Sequence, residues 1–119
     1  MYRYHNANAL GNRVNDCVLR SISVAEGKTW DTTYKELSVA AQQEGTLLDD
    51  VNFVENYLDK RYRRQCHYAK TVGEFAEECD EGTYLVTMEG HITVVVDGIV
   101  YDTFDCTDRR MWCAWKVLN

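Results

Sequence analysis

The chain has 119 residues, 45% hydrophobic, 12% aromatic and 27% charged, a composition that excludes a disordered chain and leaves room for one packed domain, 1–119, only. Its net charge of −6, from 19 acidic and 13 basic residues, disfavours nucleic acid as a main partner, because neutralising phosphate needs a basic surface. The N-terminus lacks the apolar run of a signal peptide and no stretch approaches the length of a membrane span, so cytoplasmic residence with no membrane partner is expected.

Asn6 to Asn15 carries four asparagines and a glycine and reads as a loop. From Asp16 the pattern turns helical: Val18, Leu19, Ile22 and Ala25 form an apolar stripe that ends at Gly27, a natural residue for leaving a helix. A second helix follows Thr29, with Trp30, Tyr34, Leu37 and Ala41 on one face, and stops near Gly45. A third starts at Asp49 or Asp50, either a good N-cap, with Val51, Val54 and Leu58 facing inward. The basic run Lys60, Arg61, Arg63, Arg64 reads as its solvated end. A weak strand signal covers Gln65 to Tyr68.

Thr71 and Glu74 make a capping box ahead of a short helix. Tyr84 to Met88, Ile92 to Val96, Ile99 to Phe104 and Trp112 to Val117 are β-branched and aromatic runs bounded by turn residues, and read as strands. Early helices and late antiparallel strands predict an α+β domain, the helices packed on a C-terminal antiparallel sheet.

Val96-Asp97-Gly98-Ile99 is a hairpin signal, because a type I′ turn needs positive φ at both central residues. That register puts His91 opposite Phe104 and Thr93 opposite Asp102, so His91 and Asp102 share a face one diagonal step apart, roughly 7 to 8 Å at the backbone. A carboxylate beside an imidazole fixes its tautomer and supports its protonated form, as a general base requires.

The five cysteines are odd in number, widely spaced and without a CxxC pair, which argues against a disulfide framework and against zinc; most are expected to be buried small hydrophobes. Cys17 differs, because it stands at the start of the first long helix. There the dipole and free backbone N–H groups favour a thiolate and can stabilise an oxyanion.

Asn15-Asp16-Cys17-Val18-Leu19-Arg20-Ser21-Ile22-Ser23, with Gly90-His91 and Tyr101-Asp102-Thr103-Phe104-Asp105, resembles the papain-like cysteine peptidase superfamily, and within it the small bacterial and phage C39-like members. The resemblance implies a papain-like fold and a cysteine hydrolase, peptidase or amidase, with Cys17 as nucleophile, His91 as base and Asp102 orienting it. It implies no metal or organic cofactor, and a peptide or protein substrate. The superfamily's oxyanion glutamine has no counterpart here; Asn12, or failing that Asn15, takes the role of donor. The alternatives are an acyl transferase of transglutaminase type and an inactive fold that binds another protein. A chain this short leaves little surface for an extended groove, so specificity is a task for a protein partner.

Overall fold

A computed structural model describes residues 1–117 of the chain. It opens with a strand the residue pattern does not signal, β1 (Tyr2–Tyr4), followed by the expected loop. Three helices come next, α1 (Cys17–Glu26), α2 (Trp30–Gln43) and α3 (Val51–Asp59). β2 (Arg63–Cys66), α4 (Val72–Glu78), β3 (Thr83–Met88), β4 (His91–Val96), β5 (Ile99–Asp102) and β6 (Met111–Val117) complete the order.

The helix ends form as their residues predict. Gly27 leaves α1 at φ 66°, a conformation that favours glycine. Thr29 accepts from the Thr32 N–H, Asp50 from the Phe53 N–H, and Thr71 and Glu74 form the full capping box. With Asp50 as the cap, Val51 is the first residue of α3, and it points outward at 61% exposure; Phe53, Val54, Tyr57 and Leu58 form the buried face instead.

The six strands make one sheet in the order β1-β5-β4-β3-β6-β2. Four of its neighbouring pairs are antiparallel, but β1 runs parallel to β5, so the sheet is mixed rather than the antiparallel one expected, and it is not confined to the C-terminal half. The helices also occupy both faces. One core joins α1, α2 and α3 to the sheet through Ile22, Leu37, Leu58, Leu85, Val94 and Trp115. On the other face α4 packs Val72, Phe75 and Ala76 against Val86, Val95 and Met111. Double coverage explains why all of β3 is buried and why its apolar residues do not alternate. Among the described residues no helix is long and apolar enough to cross a membrane.

The β4–β5 hairpin has the predicted register, Val96 opposite Ile99 and Val94 opposite Tyr101, with φ of 49° at Asp97 and 78° at Gly98. The basic run is solvated as expected: Arg64 pairs with Asp59 at 2.7 Å and Arg61 stacks on Tyr57. Two expectations change at β2. The strand lies two residues earlier than the weak signal, and its last residue, Cys66, faces Cys113 of β6 and is joined to it by a disulfide. Wide spacing hid this pair, because sheet register brings together residues 47 apart in the chain.

Candidate active site

The site forms where the start of α1 meets the end of the β4–β5 hairpin. Asp16 precedes the helix but does not cap it with its side chain. Its carboxylate turns sideways, accepts from the Trp30 indole N–H at 2.9 Å and pairs with the Arg20 guanidinium. The first helical hydrogen bond runs from the Arg20 N–H to the Asp16 carbonyl, so the amides of Cys17, Val18 and Leu19 have no intrahelical acceptor. Cys17 itself is half-buried.

His91 begins β4 and Asp102 ends β5, both beyond the last β4–β5 ladder pair, Val94 with Tyr101. His91 Nε2 lies 2.7 Å from Asp102 Oδ2, and the ring is tilted against Phe104 with centroids 4.7 Å apart. Asp102 Oδ1 accepts from the Thr103 N–H at 2.7 Å and from Arg20 Nη2 at 3.4 Å. The Cys106 thiol lies 3.8 Å from Asp102 Oδ2. Thr93 is buried opposite Asp102 as the hairpin predicts; its hydroxyl has no hydrogen bond of good geometry, yet it favours the ionised carboxyl.

Burial acts against every charge here, and specific partners overrule it. It would push the Cys17 thiol up, but the interaction with His91, the Ile92 backbone N–H and the positive charges of His91 and Arg20 hold the thiol below its ordinary value. It would push the His91 imidazole down, but Asp102, Cys106 and Cys17 raise it to about 11. Asp102 would rise through burial and instead falls, held by His91, Thr93 and the Thr103 N–H. Each direction favours the charged form, a thiolate beside an imidazolium.

The structure thus joins His91 to Asp102 by a hydrogen bond and sets Cys17 on the wall of the same cleft as His91. It leaves Asn12 apart: Asn12 is exposed, accepts from Asn6 Nδ2 through its carbonyl, and lies outside the cleft beside Cys17, whereas Asn15 lines that cleft. Sequence reasoning missed Arg20, Asp16, Trp30 and Cys106. The visible signal was the oppositely charged pair Asp16 and Arg20 at i,i+4 in an otherwise apolar helix; Cys106 gave none. The donor atoms of His91, Asp102 and Cys106 lie within 4.8 Å of one another, an N, O and S set that suits a soft divalent ion. The His91–Asp102 hydrogen bond and the Arg20 cation already engage the imidazole and the carboxylate of this set.

A cleft of about 930 Å³ opens beside Cys17 and His91, walled by α2, the 44–50 connection and α3. A groove of this size is more than the chain length led us to expect. No protein-family model matches this chain, and no curated protein or solved structure is significantly similar to it.

Proposed function

We propose that the chain is a papain-like cysteine hydrolase, a peptidase or amidase working through a thioester. The observation that carries this reading is one imidazole with Asp102 on its Nε2 and the helix-start thiol of Cys17 within its influence. The Cys17 thiolate attacks the carbonyl carbon of an amide, and an S–C bond forms as the carbonyl electrons move to oxygen. The free amides at the start of α1, with the Asn15 side chain nearby, are suited to stabilise that oxyanion. His91 gives its proton to the leaving amine as the C–N bond breaks. It then takes a proton from water, whose oxygen displaces the thiolate and frees the acid. Asp102 keeps the ring in place and supports its cationic form throughout.

The test is the pH dependence of Cys17 alkylation by iodoacetamide, read by peptide mapping in wild type and His91→Ala. Preferential reaction of Cys17, with an apparent pKa well below the roughly 8.5 of a free thiol, is expected in wild type and is expected to vanish in the variant. Equal reaction of Cys17, Cys79 and Cys106 in the folded protein would remove the basis of this reading.

A further inference from the structure

We infer that the cleft beside Cys17 takes a short peptide segment with bulky apolar, uncharged or cationic side chains and rejects one that carries a carboxylate. This rests on the hydrolase reading above and specifies what that site accepts. The apolar part of the argument is the exposure of Leu47 at 73%, Val51 at 61%, Val14 at 56%, Tyr34 at 45% and Trp112 at 37%. Single exposed apolar side chains are ordinary, but all of these line one concavity that ends at the thiol. They come from the loop before α1, from α2, the 44–50 connection, α3 and β6, so separate parts of the chain converge on it. Trp30 adds its ring while its N–H is spent on Asp16.

The charge pattern decides which apolar segment fits. The cleft lining includes Asp16, Asp49 and Glu55 and no lysine or arginine. Asp16 is neutralised by Arg20, and Glu55 is partly offset by Arg64 at 3.8 Å, which leaves a negative wall with Asp49 on the connection. The one cation of the lining, His91, is already paired with Asp102, so a substrate carboxylate would meet that field without a free cationic partner and lose its hydration among apolar side chains. A lysine or arginine would keep its head toward the acids and lay its stem on the apolar wall. The volume stands at the upper end of the about 300–1,000 Å³ that encloses a drug-sized ligand, so it holds more than one side chain.

The experiment uses the full chain and three alkylating probes: iodoacetamide, N-iodoacetyl-leucinamide and N-iodoacetyl-glutamate. In each case a C–S bond forms at Cys17 and iodide leaves, so only the appended group differs. Rates are divided by those with 2-mercaptoethanol to remove intrinsic reactivity. Burial of one leucine side chain is worth about 1.5–3 kcal/mol, so the leucine probe is expected to alkylate Cys17 about 10-fold to 100-fold faster than iodoacetamide, with saturation, and the glutamate probe more slowly than iodoacetamide. In the double variant Leu47→Asp, Val51→Asp, whose substituted positions are on the surface, the ratio of leucine to plain probe is expected to fall toward one. If Cys17 still outpaces the other thiols but the leucine probe has no advantage, or the glutamate probe matches it, the selectivity is overturned and the hydrolase reading stands. If Cys17 shows no preference even for iodoacetamide and His91→Ala changes nothing, the hydrolase reading falls and this inference falls with it.

Discussion

The Arg20 guanidinium, one turn along α1 from Cys17, reaches across to Asp102 with Nη2 3.4 Å from Oδ1 while Nη1 holds Asp16 and the Val14 carbonyl. One buried cation therefore ties the helix that carries the thiol to the strand that carries the carboxylate. We describe Arg20 as a positioning residue, since it acts through Asp102 and through its charge on Cys17. Arg20→Met leaves two buried carboxylates short of their partner, and breaking a buried pair in this way costs about 3–5 kcal/mol. Urea denaturation is expected to show that loss. The Cys17 alkylation profile should also move to higher pH, an effect that lost packing alone would not produce. Arg20→Lys retains the charge but not the fork, so it should recover the pH profile more fully than the stability.

The pKa of His91 implies a definite pH dependence of stability. Its folded value is raised from 6.5 to about 11, so its contribution is complete below pH 6.5 and is lost as pH rises toward 11. Asp102 is shifted down, so its contribution is present above its ordinary value of 3.8 and is lost as pH falls through the folded one. Cys17, also shifted down, opposes His91 by adding stability as pH rises to 9.0. The advantage of wild type over Asp102→Asn in urea midpoint should therefore shrink between pH 6.5 and pH 10, with a slope no steeper than about 1.4 kcal/mol per pH unit. An advantage that grows over that range would contradict the assigned charges.

Gly98 closes the hairpin that sets the His91–Asp102 register. Its φ is 78°, and a Cβ there would stand 3.3 Å from the Ala76 carbonyl oxygen and 3.4 Å from Asp80. Left-handed backbone disfavours any L side chain by about 1–2 kcal/mol, and the contacts with α4 and Asp80 add to that. Gly98→Ala should lower stability by at least that amount. It should also slow Cys17 alkylation at neutral pH, because the turn and the dyad share one ladder.

How much of this was legible follows from how far each signal reaches along the chain. Asp97-Gly98 is local and determines its own register, so Thr93, His91 and Asp102 could be set on one face from residues alone. The helix caps at Thr29, Asp50 and Thr71 are local too. β1 was not readable, because three residues show no period and its partner β5 is about a hundred positions away. Arg20 could be paired with Asp16 by helical spacing, but its second partner is 82 residues on and depends on how α1 lies over the sheet. The cleft was hidden for a similar reason: Tyr34 and Val51 read as inward-facing helix positions, and only the packing of α2 and α3 leaves them at its rim.

The disulfide gives a count that can be checked. Denatured without reductant, the chain should take up three alkyl groups, on Cys17, Cys79 and Cys106, and after reduction all five cysteines should react. Cys66→Ser together with Cys113→Ser should destabilise the fold by about 2–4 kcal/mol, read as a lower urea midpoint. Five alkyl groups without reductant would show the pair to be reduced.

β1 is joined to the rest of the chain by a ten-residue stretch, 6–15, that has no regular structure of its own and is exposed from residue 9 onward. Yet this short strand covers the far side of Asp102: the Tyr2 hydroxyl and the His5 N–H both donate to its carbonyl, at 3.2 and 2.9 Å. A single protease cut in that stretch would free a fragment held by three ladder positions, too few to stay bound. The bared edge would then expose the backbone of the residue that orients the histidine. Limited digestion would thus disarm the site while leaving helices, central strands and disulfide in place, so lost activity in a nicked preparation would not signal lost folding.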